Sequence, residues 1–284
     1  MKIEGNTFVI TGGLGGIGSE VASGIVENGG KVALFDVLDE KIGNEKALSY
    51  GQGKAIYQKV DVSNSNDVKV AVENVVEKLG NLKGAVHLAA ISIKRDYTND
   101  LADSIEDFQK MWKINTLGTF IVDAQVADAI NKPLNHPNGS NEKADFWTTD
   151  EERGVIINFG SAAAHGLYSR TLCYGPLKLA VNGISRTLSD FLGPSGIRVN
   201  TISPSIVMTA MNAKLGDYFQ DDLTSHAAFP RVPVPASEIF KAVKFLIEST
   251  WVNGEDIRVD GGWRLVVDRP KGGVDARSLA PGLE

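Results

Sequence analysis

Residues 6–36 read NTFVITGGLGGIGSEVASGIVENGGKVALFD. Two short apolar runs, NTFVIT (6–11) and KVALFD (31–36), bracket a glycine cluster and a stretch with Ile17, Val21 and Ile25 on one helical face. Short, β-branched runs bounded by glycine predict buried strands, and the 3.6-residue spacing predicts a helix over 16–28. Strand, glycine turn, helix, strand is the start of a βαβ unit, whose strands must be parallel.

The pattern continues outward. KAIYQKVD (54–61), GAVHLAA (84–90), GVIINFG (154–160), IRVNTIS (197–203) and DIRVD (256–260) predict five more strands, seven in all. Helices are predicted over 66–79 (with Ser65 as N-cap), 104–130 (through Ile105, Phe108, Met111, Trp112 and Ile114), 176–192 and 237–249. The alternation predicts an α/β fold of the doubly wound, Rossmann type, a mostly parallel seven-stranded sheet with helices on both faces. No composition break or repeat divides the chain, so residues 1–266 are expected to form one domain. Within it, about 131–153 is polar and turn-rich and reads as a surface insertion; 267–284 reads as a tail.

The 284 residues carry a net charge of −6 and no Lys/Arg-rich run, which argues against nucleic acid as a partner. The single cysteine, Cys173, allows no intrachain disulfide and no cysteine-built metal cage. No apolar run approaches the roughly 20 residues of a membrane span, and a strand from about Thr7 leaves no room for a leader. The expectation is a soluble intracellular protein, cytoplasmic by default, without metal or membrane.

TGGLGGIG (11–18) lies between the first strand and the first helix. Glycines let a phosphate approach the backbone, and the helix start offers free N–H groups. From Gly12 the spacing is G-x3-G-x-G, which differs from the common GxGxxG fingerprint. Asp36 ends the second strand, where an acid can accept hydrogen bonds from ribose hydroxyls and repel a 2′-phosphate. Two like charges about 4 Å apart cost on the order of a few kcal/mol near a surface. No Lys or Arg follows immediately, the next residues being Val37, Leu38 and Asp39, so NAD(H) is expected over NADP(H). Asp61-Val62 ends the third strand, and two readings stand open: a contact for adenine, or an acid at the start of the next helix.

YGPLKLA (174–180) places a tyrosine and a lysine four apart with a proline between. Proline is tolerated in the first helical turn, so Pro176 marks a helix beginning. Tyr174 and Lys178 then share a face at its positive end, where both effects are expected to lower the tyrosine pKa from about 10. A tyrosine so tuned can pass a proton to or from a substrate oxygen.

With these residues in view the chain resembles the short-chain dehydrogenases/reductases over 6–263. Thr11, Gly12, Gly16, Ile17 and Gly18 match the TGxxxGIG pattern, Tyr174 and Lys178 the YxxxK, and VDGG (259–262) the C-terminal signature. The resemblance makes Ser161, Tyr174, Lys178 and Asn115 the catalytic set. Tyr174 would exchange the proton, Ser161 hold the substrate oxygen, Lys178 bind the nicotinamide ribose and Asn115 anchor a water. It assigns Gly12, Leu14, Gly16, Ile17, Gly18, Asp36, Asp61, Val62, Ala89, Tyr174, Lys178, Pro204, Val207 and Thr209 to cofactor binding. Two departures stand out: His87-Leu88-Ala89-Ala90 replaces NNAG, and Pro204-Ser205 replaces PG. His87 is expected to be structural, Cys173 a packed thiol; His165 either borders the substrate or is an ordinary loop residue.

The resemblance implies interconversion of a secondary alcohol and a ketone. VALFDV, EDFQKMWKINTLGTF, GVIINFGSAAA and WVNGEDIRVDGG look like the type 2 3-hydroxyacyl-CoA dehydrogenase branch. Its substrate lid would be about 205–235, with Met208, Met211, Leu215, Tyr218, Phe219 and Phe229 apolar. Lys94, Arg95, Lys214 and Arg231 are candidates for a CoA-binding patch. A dehydrogenase or reductase of a specialised metabolite is the alternative; a non-catalytic NAD-binding sensor fits less well, because Tyr174 and Lys178 are both present. Helices 104–130 and 176–192, apolar on more than one side, imply a homodimer or homotetramer.

Overall fold

A computed structural model describes residues 1–93, 100–140, 142–166, 171–209 and 226–264. Seven parallel strands form one sheet: β1 (Thr7–Thr11), β2 (Lys31–Asp36), β3 (Ala55–Lys59), β4 (Leu82–His87), β5 (Gly154–Phe159), β6 (Ile197–Pro204) and β7 (Asp256–Val259). Their spatial order is β3-β2-β1-β4-β5-β6-β7. Each lies within a few residues of its predicted run. The chain returns to the centre after β3, so the order reverses between β1 and β4. In such sheets ligands bind beyond the carboxyl ends of the strands at that reversal.

The helices cover both faces. On one face α1 (Gly16–Glu27) and α7 (Ala236–Glu248) bury Val21, Ile25, Ile239, Val243 and Leu246 against Phe8, Ile10, Val32 and Leu34. On the other, α3 (Ser65–Lys78) and α5 (Gly118–Asn135) bury Val68, Val72, Val75, Val122 and Val126 against Val9, Ala85 and Ile156. α6 (Gly175–Leu192) completes that face over β5 and β6.

Three local expectations are corrected. α2 (Glu40–Ser49) has no counterpart among the predicted helices; it buries only Gly43 and Ala47, so its sequence carries little apolar period. The cap of α3 is Asn64, whose side chain accepts from the backbone of Asn66 and Asp67, and Ser65 is the first helical residue. The long helix over 104–130 is broken into α4 (Ile105–Met111), a π turn (Trp112–Leu117) and α5.

The segment 131–153 begins as the end of α5, with Pro133 inside the helix. Trp147 then donates to Asn135, and the backbone of Thr149 and Arg153 donates to Pro194 and Gly196. These contacts hold it at the amino ends of β5 and β6, the opposite end of the sheet from the glycine loop. Among the described residues no helix is long and apolar enough to cross a membrane.

Candidate active site

The glycine loop is shaped by close approach. Gly12 has φ +62°, and a Cβ there would stand 3.0 Å from the amide nitrogen of Ala89. A Cβ on Gly18 would stand 2.2 Å from the Gly12 carbonyl oxygen, which no side chain tolerates. A Cβ on Gly16 would stand 3.1 Å from the Thr209 methyl, so the residues after β6 close over the loop. α1 starts with no side-chain cap and no acid in its first turn, which leaves its positive end available to an anion.

Asp36 is fixed beside this loop. One carboxylate oxygen accepts from the Leu14 amide at 3.1 Å, and the other from Val37 at 2.8 Å. The acid is therefore aimed at the turn between β1 and α1. Leu14 reaches the site through its backbone, and Ile17 packs partly buried on the core. Asp61 folds onto Ser63, accepting from its amide and hydroxyl at 2.9 and 2.8 Å. Asn64 caps α3, and Asp61 stands just ahead of that cap, bonded to Ser63. Val62 is buried beneath Gly118.

Thr11 ties β1 to β4. Its hydroxyl oxygen accepts from the amides of Leu88 and Ala89 and lies 3.1 Å from Nδ1 of His87. With both lone pairs engaged, the hydroxyl donates to Nδ1, and the imidazole proton sits on Nε2. Burial pushes His87 down to about 3, with the Lys178 charge adding to the effect, so the ring is neutral. The expected structural role of His87 fits this.

The catalytic candidates converge from three elements. Ser161 follows β5 and accepts from the Ala163 amide at 3.2 Å. Tyr174 precedes α6, whose first turn contains Pro176. Lys178 is buried one turn on and donates from Nζ to the Phe159 carbonyl at 2.7 Å, with Nζ 5.7 Å from the centre of the Tyr174 ring. Asn115 lies in the π turn. Its amide pairs with both backbone groups of Ile91, accepting at 2.9 Å and donating at 2.8 Å. An extra residue in a helical turn rotates a side chain out of the regular face, and here it turns Asn115 onto the chain leaving β4.

The expected acidification of Tyr174 is corrected. Burial pushes its phenol up to about 12, and a hydrogen bond with Ser161 opposes this only in part. The lysine does not compensate: Nζ is engaged by Phe159, and burial lowers Lys178 itself to about 8. Desolvation of both groups outweighs the attraction between them.

The remaining candidates are placed as follows. Pro204 ends β6, and Ser205 accommodates the turn that follows by donating its amide to Val259. Val207 is buried and bridges Val234. Ala89 is partly buried against the core. Cys173 is packed with Met111 and Leu177, as a structural thiol would be. His165 turns to β7, where Nε2 meets Asp256 at 2.8 Å. Of the lid and patch residues, Lys94, Arg95, Met211, Lys214, Leu215, Tyr218 and Phe219 lie outside the described residues. Met208 and Phe229 are exposed, and Arg231 donates to the Ala227 carbonyl. Sequence reasoning missed Asn182 and Asp256, buried polar partners behind Ser161; the one signal was a polar residue on the buried face of a helix.

The family model described as short chain dehydrogenase matches residues 6–219. The chain is 33% identical over 267 residues to the 3-hydroxyacyl-CoA dehydrogenase type-2 of Drosophila melanogaster, covering 93% of this chain and 99% of that protein. Among solved structures it is similar to the 3-hydroxyacyl-CoA dehydrogenase type-2 of Mycobacterium avium (TM-score 0.79, 25% identity, 93% and 98% of the two chains). It is also similar to the NADPH-dependent 3-quinuclidinone reductase of Rhodotorula rubra (TM-score 0.76, 26% identity, 92% of each chain).

Proposed function

Because the chain belongs to the short chain dehydrogenase family, oxidoreductases of alcohol and ketone groups that use nicotinamide cofactors, we propose that it interconverts a secondary alcohol and a ketone with NAD(H). The observation that carries this is the meeting of Ser161, Tyr174 and Lys178 beside the glycine loop. The cradle suits a dinucleotide. Gly12, Gly16 and Gly18 would leave backbone in reach of a pyrophosphate, and Asp36, held at the turn after β1, would accept from a ribose hydroxyl. Asp61, Val62, Ala89, Pro204, Val207 and Thr209 would border the rest. When bound, the nicotinamide supplies or accepts the hydride.

The chain supplies the proton chemistry. Ser161 orients the substrate oxygen with its hydroxyl. Tyr174, protonated well above neutral pH, donates a proton to that oxygen as a ketone is reduced. In the reverse direction it must first be ionised, and Lys178 provides the cationic partner. Asn115 holds the chain at Ile91 beside this group and would anchor a water leading to solvent. Tyr174→Phe is expected to leave NADH binding within a few-fold and to lower turnover by at least about 10²-fold. An NAD-linked screen over 3-hydroxyacyl-CoA, steroid and small secondary-alcohol substrates reads this; substantial turnover in the variant overturns the assignment.

Asp36 supports NAD over NADP. A 2′-phosphate about 4 Å away would be disfavoured by about 4 kcal/mol at an effective dielectric of 20. Asp36→Ala should narrow the gap in kcat/KM between the cofactors. An unchanged ratio would overturn this preference and leave the reaction class intact.

Likeness to the 3-hydroxyacyl-CoA dehydrogenases supports an acyl-CoA or similar apolar hydroxy substrate. The net charge of −6 and the likeness to a quinuclidinone reductase support a second reading, a specialised ketone or alcohol without phosphates. Residues 1–266 would act as one catalytic domain in a soluble intracellular setting. Ile105, Phe108, Trp112 and Phe120 on the α4–α5 helix, with Leu179 and Phe191 on α6, are exposed apolar side chains and support a homodimer or homotetramer.

A further inference from the structure

α6 presents a polar stripe to the sheet: Lys178, Asn182, Ser185 and Ser189, all buried at helical spacing. Ser185 is satisfied by the Val181 carbonyl and the Asn158 amide. Asn182 donates to Asp256 Oδ2 at 2.6 Å, the same oxygen that His165 Nε2 meets at 2.8 Å. This leaves a cluster of buried atoms without partners: Asn182 Oδ1, Asp256 Oδ1, Thr201 Oγ1 and Ser203 Oγ.

The fold brings these atoms together. Thr201 and Ser203 are two apart on β6 and share a face, and Thr201 is the register partner of Asp256 on β7. Asn182 stands over that face from α6. Gly160 closes the front: a Cβ there would stand 2.4 Å from Ser203 Oγ and 2.5 Å from Asn182 Oδ1. A side chain there would collide with both polar atoms, so glycine is what lets the strand-end backbone pack directly against them, with the Thr201 methyl 3.2 Å from the same point. The lining offers two acceptors, an amide and a carboxylate oxygen, and two hydroxyl donors. That is the complement of one water molecule, which donates twice and accepts twice. A cation fits less well, because the site has one formal negative charge, already shared by Asn182 and His165.

We propose that Asn182, Thr201, Ser203 and Asp256 hold one internal water behind Gly160, and that His165, closing Asp256 from outside, makes this assembly the pin that positions Ser161. The peptide in front of the water carries the site on both sides: the Phe159 carbonyl holds Lys178, and Ser161 follows Gly160. His165 clamps the far end of the turn that Ser161 begins. His165 and Asp256 are positioning residues, and the functional part of the inference rests on Ser161 acting as proposed above.

A high-resolution crystal structure of the full chain should show a peak within about 3 Å of at least three of the four atoms. No peak, or side chains rotated to pair directly, overturns the water. Hydrogen–deuterium exchange of 160–165 should quicken in His165→Ala, stay unchanged in β6, and return towards the parent in His165→Gln, whose amide can donate to Asp256. With a substrate from the screen, His165→Ala should lower kcat about tenfold, within the range a displaced group produces, while the NADH dissociation constant stays within about twofold. Exchange and kcat equal to the parent in His165→Ala overturn the pin. If Ser161→Ala turned over as fast as the parent, the reading of Ser161 would fail, while the water and the exchange result would stand.

Discussion

The two faces of the sheet are built differently. α7 buries Ile239, Val243, Leu246 and Ile247, all apolar and fully enclosed. α6 is longer, 18 residues against 13, and also two-sided, yet between Leu177, Val181 and Leu192 it buries Lys178, Asn182, Ser185 and Ser189. α7 has only to exclude water from β5, β6 and β7. α6 begins just after Tyr174, and its inner surface must hold a lysine and hydrogen-bond what surrounds it. One face stabilises the fold; the other gives up some of that stability to hold charge and dipoles in place.

The largest test of this contrast is Leu246→Ala. It should lower stability by about 2–5 kcal/mol, read by urea unfolding, with NADH affinity unchanged. A loss of NADH affinity with little loss of stability would erase the distinction between the faces. Lys178→Met should act through pH. Burial lowers the lysine from 10.5 to about 8, so between those values the unfolded chain binds more protons than the folded one. Folding stability then rises with pH across that window by up to about 3 kcal/mol, and below it the buried charge is a constant burden. Tyr174, raised from 10.0 to about 12, acts in the opposite sense only at the top of the range. The variant should lose the slope between about 8 and 10, along with NADH affinity; a slope equal to the parent's would mean that the lysine is not desolvated. The smallest effect belongs to the outer side of α7. Lys241 and Glu238 pair in solvent, and Lys241→Ala should change stability by less than about 0.5 kcal/mol. A larger change would show that the outer side of that helix also carries a structural load.

The sequence foretold the sheet well because parallel strands are buried on both sides. KVALFD and GVIINFG read as continuous apolar runs and became β2 and β5. The site was legible where its parts are local: the glycine loop, the acid ending β2, and the proline that starts α6. α2 was hidden because it is held by shape. Gly43 lies so close to Tyr57 that a Cβ would stand 2.2 Å from the ring, a contact with no periodic signature. The direction of the Tyr174 shift was misjudged for a related reason. Spacing shows which charge is one turn away, but not how much water both groups have lost. Asp256 and Asn182 are 74 residues apart, and nothing in either neighbourhood announces the other.

The wide turn at Trp112–Leu117 has a consequence for how this chain can change. It throws the halves of one helix out of phase by about 100°. The downstream half can therefore keep Val122 and Val126 against the sheet, while Asn115 points along a direction the core stripe does not set. Deleting a single residue there would bring the two halves back into phase and force a choice between a seated core and an asparagine at Ile91. Replacing side chains elsewhere along the helix poses no such choice.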